Sequence, residues 1–153
     1  MSPTNSIFHE IFLHINWHCH GDRSLILPEI ETSLHELVQT YCRKHSGVFY
    51  QGSGGTDTHI HLAVQVTPTV CPRDFIGKVK GFTSHEMNRI LRSRGFQWQR
   101  GYGVVSFAKR NLPAVLKYIE NQKDHHRCGG TRPTLEKWFV DLPEGEYSPG
   151  EDG

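Results

Sequence analysis

The chain has 153 residues, of which 36% are hydrophobic and 22% are charged, and its formal net charge is +1. That length suits one domain with a real core, and the composition is that of a globular protein. No stretch approaches the roughly 18 consecutive apolar residues of a membrane span, so no membrane-spanning helix is expected.

The amino-terminal segment is not a secretory signal, because it has neither a basic region nor a continuous apolar core. Residues 7–19 instead alternate with the period of two that predicts a first strand. At the end of this strand, His18 and His20 flank Cys19, and this segment fits either a strand end or an added metal contact. The cysteines show no Cys-x-x-Cys spacing, which argues against a zinc ribbon or redox motif, so we expect reduced thiols in a cytoplasm.

The later elements follow from turn residues and hydrophobic spacing. Pro28 suits the first turn of a helix, and Ser46-Gly47 ends it. The glycine-rich stretch 52–55 (GSGG) is predicted to be a hairpin loop. The expected elements are a strand at 7–19, a helix at 28–45, a strand from 48, a strand at 58–66, a helix at 72–95, a strand at 101–107 and a helix at 112–127.

This order, β-α-β-β-α-β followed by a helix, predicts an α+β fold. The arrangement is the ferredoxin-like or RNA-recognition-like one, an antiparallel sheet with helices on one side plus a C-terminal helix. We assign residues 1–132 to this domain. Residues 133–153 are predicted to be a flexible acidic C-terminal extension, because the chain from Trp138 onwards carries five acids and no base.

Two histidines lie one residue apart in the predicted third strand. Side chains alternate along a strand, so His59 and His61 share its polar face while Ile60 and Leu62 share the apolar face. Neighbours on one face are roughly 6.5–7 Å apart at the backbone, so the two rings can converge on a metal ion. The alternative is that they are ordinary hydrogen-bonded histidines.

The last predicted helix carries a tyrosine at the edge of its apolar stripe. Tyr118 and Gln122 are four residues apart and so lie on one ridge of the helix. A tyrosine in that position can rest its ring on the protein while its hydroxyl faces a cleft. An amphipathic tyrosine at a helix boundary is the plainer interpretation.

Taken together, these residues resemble the single-tyrosine HUH transposases of bacterial insertion sequences and their REP-associated relatives. His59-Ile60-His61 matches the His-hydrophobe-His motif, and residues 118–122 (YIENQ) match the nucleophile helix. The resemblance spans about residues 10–127 in the family's order. Its further blocks are residues 77–81 (GKVKG) before Ser84, Trp98-Gln99 before residues 101–103 (GYG), and residues 121–123 (NQK) before residues 125–127 (HHR). One departure is Thr58, where the family usually has an acid; here Asp57 lies one position earlier.

The resemblance implies a DNA transposase that cuts and rejoins single-stranded DNA through a 5′-phosphotyrosine, with Tyr118 as the nucleophile. It implies a divalent ion, Mg²⁺ or Mn²⁺, held by His59, His61 and Gln122, a set that would also tolerate Zn²⁺. Its expected partners are hairpin-forming element ends and a second copy of the chain. The expected setting is the nucleoid in the cytoplasm of a bacterium or archaeon, with no membrane.

A basic middle section predicts where DNA would bind. Residues 73–110 contain nine Lys or Arg and two acids, which suits a polyanion, although solvated helix faces are also often basic. The expected DNA contacts are Lys78, Lys80, Arg92, Arg94 and Arg100, with Trp98 stacking on an unpaired base.

Three other functions fit parts of the pattern. A catalytically silent or domesticated hairpin-binding protein would keep the fold, but it would not need the set His59, His61, Tyr118 and Gln122. A metal hydrolase that uses water would not need Tyr118 and would form no covalent adduct. A replication initiator or relaxase shares the histidine motif, but the blocks around Lys78 and Trp98 favour a transposase.

Overall fold

A computed structural model describes residues 7–123 and 133–136 of the chain. The strands are β1 (Ile11–His18), β2 (Val48–Gly55), β3 (His59–Val66) and β4 (Gly103–Phe107), and the helices are α1 (Pro28–Lys44), α2 (Pro72–Leu91), α3 (Leu112–Glu120) and α4 (Pro133–Glu136). The strands form one antiparallel sheet in the order β2-β3-β1-β4. The predicted α+β class and the β-α-β-β-α-β order are confirmed.

One face of the sheet carries the hydrophobic core. The odd residues of β1 and the even residues of β3 face this core, and Trp17 and Ile60 are fully buried there. Helices α1 and α2 cover this face with apolar residues at helical spacing, and Leu34, Val38 and Cys42 of α1 are typical of them. Each fully buried aliphatic side chain of this kind stabilises the fold by roughly 1.5–3 kcal/mol.

The opposite face is polar at one end and apolar at the other. Helix α3 packs Val115 and Ile119 against Ala63 of β3. His59 and His61 lie further towards the start of the same strand and are buried as well. The central strands pair from Ile11↔Val66 to His18↔His59, so the polar residues of β1 face the same side as the histidine pair.

The glycine-rich stretch is not the hairpin loop that the sequence predicted. Residues 52–55 continue β2, and the turn into β3 is made by residues 56–58. Glycine occupies this strand because helix α3 packs closely on the sheet. A Cβ on Gly54 would overlap the carbonyl oxygen of Ile119 and lie 3.1 Å from its Cγ2. Gly52 likewise leaves room for Leu116, because a Cβ there would be 2.8 Å from its Cδ2. These glycines let α3 approach the sheet.

One predicted helix is shorter than expected, and another is interrupted at Asn121 before residues 122–123 resume helical structure. Helix α2 ends at Leu91, where Arg92 turns left-handed with φ of 51°, rather than near Gly95. Helix α3 ends at Glu120, because Asn121 leaves the helical conformation with φ of −98° and ψ of 23°. The rest of the helix predicted up to Arg127 includes residues 124–127, which lie outside the described residues.

Replacing Gly54 with Ala should displace α3. The added methyl group has no space against Ile119, so we expect a loss of about 1–3 kcal/mol in the free energy of unfolding and reduced DNA cleavage. Gly81→Ala is the matched control, because a Cβ on Gly81 meets nothing within 4 Å in the middle of α2. It should stabilise the protein by roughly 0.5–1 kcal/mol. Thermal unfolding checks both variants, and equal behaviour would contradict the close-approach role of Gly54.

The cysteines should differ sharply in reactivity. Burial raises the pKa of Cys19 to about 11 and that of Cys42 to about 12, whereas Cys71 is exposed. The thiolate is the reactive form. Brief alkylation of the native protein at pH 8, mapped by mass spectrometry, should therefore modify Cys71 and spare the other two. Rapid modification of Cys42 would contradict its placement. Cys128 lies outside the described residues.

Part of the predicted extension packs on the sheet. Helix α4 contacts β1 and β4, and Leu135 is buried there. The division of the chain at residue 132 and the flexibility of the acidic tail stay predictions, since residues 137–153 lie outside the described range. In the described residues, no helix has the length and apolar character needed to cross a membrane.

Candidate active site

The two motif histidines lie side by side on the polar face of β3. Their ring centroids are 5.0 Å apart, and the rings are nearly perpendicular. The carboxylate of Glu136 lies against both, with Oε2 3.5 Å from Nε2 of His59 and Oε1 3.2 Å from Nε2 of His61. The ligand atoms of the three residues all lie within 4.8 Å of one another. Two imidazole nitrogens and a carboxylate oxygen are donors that suit a divalent ion such as Mn²⁺.

Two threonine hydroxyls orient His59. Oγ1 of Thr56 and Oγ1 of Thr58 are each 3.0 Å from Nδ1 of its ring. A metal-binding histidine usually has its outer nitrogen held in this way, which fixes the ring and leaves the other nitrogen for the ion. Thr58 stands where the resembled family has an acid, and the hydroxyl pair provides the hydrogen bond that a carboxylate would make.

A third histidine orients His61. Nδ1 of His61 lies 2.8 Å from Nε2 of His14, a buried residue of β1. Burial and the neighbouring His61 lower the pKa of His14 to about 3, so its ring is neutral and can accept a hydrogen bond. The contact with His14 holds Nδ1 of His61 and fixes its ring, so Nε2 of His61 faces Glu136.

Helix α3 places Tyr118 directly beside this pair. Its ring lies edge-on to the ring of His61, with centroids 6.0 Å apart, and the residue is 2% exposed. The hydroxyl donates a hydrogen bond of 2.6 Å to Oε1 of Glu136. Sequence reasoning placed Tyr118 at the margin of the apolar stripe with its hydroxyl facing a cleft; in the structure the residue is buried and its hydroxyl meets the carboxylate of Glu136.

The carboxylate at the centre of the site was not predicted from the sequence. Glu136 ends the short helix α4, which is fixed by a 3.0 Å hydrogen bond from Nδ2 of Asn16 to the carbonyl of Leu135. Burial opposes ionisation of the carboxyl, but hydrogen bonds with His61 and Tyr118 lower the pKa of Glu136 to about 2. The only available sequence signal was Pro133, which suits a helix start.

Gln122, the predicted third ligand, is also buried on this side of the sheet. It is 1% exposed, and its Nε2 lies 3.4 Å from the carbonyl oxygen of Tyr118. The two residues keep the predicted four-residue relation, although Asn121 interrupts the helix between them. Its role as a metal ligand remains a prediction.

A cleft of about 560 Å³ opens beside His59. The His18 ring stacks on the His59 ring with centroids 4.7 Å apart, and its Nδ1 is 2.6 Å from a carboxylate oxygen of Asp22. His18 is the last residue of β1 and therefore lies at a strand end. Lys123 also lines the cleft and forms a 2.6 Å ion pair with Glu31.

One predicted DNA contact, Lys78, lies on a helix that covers the other face of the sheet. Helix α2 packs on the core face of the sheet, opposite α3. Lys78 of that helix is largely exposed and pairs with Asp74 at 3.0 Å. Arg92, Arg94 and Arg100 are exposed in the segment after α2. Their contact with DNA remains a prediction.

The other two predicted contacts have structural partners. The ammonium of Lys80 donates to the carbonyls of Gln99 and Gly101 at 2.9 and 2.8 Å. It therefore fastens the segment before β4 to α2. The indole of Trp98 is partly buried and donates to Oγ1 of Thr83 at 3.0 Å. Any base stacking by Trp98 would use the exposed part of its ring.

Comparison with known proteins identifies the family. The family described as "Transposase IS200 like" matches residues 7–122, which is most of the chain. The chain belongs to the IS200-like transposase family. The match includes His59, His61, Tyr118 and Gln122 and ends before Glu136. No curated protein sequence matches the chain significantly.

Solved structures share the fold of this IS200-like transposase. A "putative transposase from deinococcus radiodurans r1" superposes with a TM-score of 0.63 at 18% identity, covering 80% of this chain and 98% of the other. A REP-associated tyrosine transposase bound to a REP hairpin superposes with a TM-score of 0.58 at 12% identity, covering 86% of this chain and 76% of the other. At these identities the likeness concerns the fold. The family itself makes the chain a DNA transposase, with DNA binding and recombination as its activities.

Proposed function

We propose that this transposase cleaves and rejoins single-stranded DNA through a covalent bond between Tyr118 and the DNA. The observation that carries the proposal is the convergence of three groups of one chain, the Tyr118 hydroxyl and the Nε2 atoms of His59 and His61, on a single carboxylate. A nucleophile and a set of metal ligands in contact are what metal-assisted phosphoryl transfer requires.

The chemistry is a transesterification. The Tyr118 oxygen forms a bond to the phosphorus of a phosphodiester, and the bond between that phosphorus and the 3′ oxygen breaks. The 3′ oxygen leaves with the electron pair and takes up a proton, while the tyrosine proton passes to solvent. The product is a 5′-phosphotyrosine and a free 3′-hydroxyl, so a 3′-hydroxyl can reverse the step on another strand without ATP.

The residues present fit a divalent ion, Mg²⁺ or Mn²⁺. When bound, the ion would polarise the phosphate and stabilise the charge that develops on its oxygens. His59 and His61 would hold it through Nε2, because Thr56, Thr58 and His14 occupy the side of their Nδ1 atoms. A phenol with an ordinary pKa near 10 is a poor nucleophile, so this assistance matters.

The proposed substrate is single-stranded DNA with hairpins at the ends of a mobile element, and the proposed assembly is a homodimer. The similar fold of the transposase that is bound to a REP hairpin supports the proposed hairpin substrate. The setting proposed is the nucleoid of a bacterial or archaeal cytoplasm. Sedimentation that gave a DNA complex with only one 17.5 kDa chain would contradict the homodimer.

The test uses single-stranded hairpin DNA from the flanks of the protein's own gene, labelled at the 3′ end. With Mn²⁺, a denaturing gel should show label at the combined mass of protein and DNA, and EDTA should abolish that band. Shortened DNA without an adduct would indicate the metal hydrolase instead. Binding on a native gel without either product would indicate the silent hairpin-binding protein.

A further inference from the structure

Glu136 contacts three groups of the proposed reaction centre, His59, His61 and Tyr118. One of its oxygens lies 3.2 Å from Nε2 of His61 and 2.6 Å from the hydroxyl of Tyr118, and the other lies 3.5 Å from Nε2 of His59. Among the described residues, His59, His61 and Glu136 form the cluster of His, Cys, Asp or Glu side chains whose donor atoms are close enough to share an ion. The carboxylate lies outside the region that matches the family.

The position of Glu136 is built into the fold rather than being a chance contact of a surface chain. Leu135 is buried, and its carbonyl accepts a hydrogen bond from Nδ2 of Asn16 on β1. The anchor residue Asn16 pairs with His61 across the two central strands. The carboxylate is therefore held from the same part of the sheet that carries the histidines.

We propose that Glu136 is a catalytic residue that supplies a protein ligand to the ion held by His59 and His61 and fixes the Tyr118 hydroxyl beside that ion. This inference rests on the proposed function and names a ligand that the nucleophile-helix pattern does not contain. An anionic oxygen binds Mg²⁺ or Mn²⁺ more strongly than the neutral amide of Gln122 does. The hydrogen bond to a charged acceptor also limits where the tyrosine oxygen can point.

The test compares the full-length protein with Glu136→Gln, which keeps the size of the side chain and removes its charge. Isothermal titration with Mn²⁺ should show at least about tenfold weaker binding in this variant. Glu120→Gln is the matched control, because Glu120 is exposed at the end of α3, and its Mn²⁺ affinity should equal that of the parent. Hairpin binding on a native gel should be the same for all three proteins.

Two further measurements separate the two roles of the carboxylate. Tyr118→Phe removes the hydroxyl that donates to Glu136 and leaves the carboxylate and both histidines in place, so it should change the Mn²⁺ Kd by less than about twofold. Glu136→Gln should also form at least about tenfold less covalent adduct than the parent at saturating Mn²⁺, because the tyrosine loses its charged acceptor.

Two results would overturn the inference. One is an unchanged Mn²⁺ affinity in Glu136→Gln together with unchanged adduct formation. The other is increased adduct formation in that variant, which would mean that the carboxylate blocks the site instead of serving it. Failure of the proposed function gives a different pattern, because the parent protein itself would then form no adduct.

Discussion

Tyr118→Phe should form no covalent adduct with DNA. The substitution removes the oxygen that would attack phosphorus and leaves the ring beside His61 in place. Removal of a nucleophile eliminates the chemical step, so we expect a loss of at least about 10³-fold in cleavage. A denaturing gel with 3′-labelled hairpin DNA measures the loss, and a native gel should show that hairpin binding is retained.

The matched control for that variant is Tyr41→Phe. Tyr41 belongs to α1, and its hydroxyl lies 3.3 Å from Nδ1 of His45, on the core face of the sheet and away from α3. Removing this hydroxyl should leave adduct formation unchanged. Full cleavage by Tyr118→Phe would refute the assignment of the nucleophile, whereas loss of cleavage in both variants would point to a general effect on folding.

His61→Ala should abolish metal-dependent cleavage and weaken Mn²⁺ binding by at least about 100-fold, because it deletes a ligand outright. Loss of a residue that only positions a metal ligand already lowers metal affinity by roughly 10- to 100-fold. The variant also leaves His14 and Glu136 without the partner that lies between them. Isothermal titration with Mn²⁺ and the adduct assay measure the two effects.

The control for His61→Ala is His85→Ala, since His85 is exposed on α2. It should retain both the Mn²⁺ affinity and the cleavage of the parent. Because His61 is fully buried, thermal unfolding of His61→Ala is needed to show that the protein is still folded at the assay temperature. Mn²⁺ binding at parental strength in a folded His61→Ala protein would refute the metal site.

The local parts of the site could be predicted from the sequence because they follow from the short repeat periods of strands and helices. Alternation along β3 places His59 and His61 on one face, and helical spacing puts Tyr118 at the edge of the apolar stripe. The element order likewise predicts the sheet. These patterns depend on residues that are neighbours in the chain, so their spacing is visible in the sequence itself.

The parts that sequence reasoning missed depend on contacts between distant segments. Glu136 reaches the site only because Asn16 and the sheet hold α4 in place. The glycine-rich composition around Gly54 predicts a turn, yet Gly54 lies in β2. A glycine is needed there because the backbone of α3 passes close to it. His14 falls on the polar face of β1 by alternation, but its partner His61 is known only once the register of β1 and β3 is known.

The central claim is best tested by locating the DNA on the protein. After reaction of the parent protein with 3′-labelled hairpin DNA and Mn²⁺, nuclease and trypsin digestion should leave a nucleotide attached to the peptide 118–123 (YIENQK), whose only tyrosine is Tyr118. Mass spectrometry of that peptide should show the added phosphonucleotide on the tyrosine. A nucleotide on any other residue, or cleaved DNA with no modified peptide, would contradict the tyrosine mechanism.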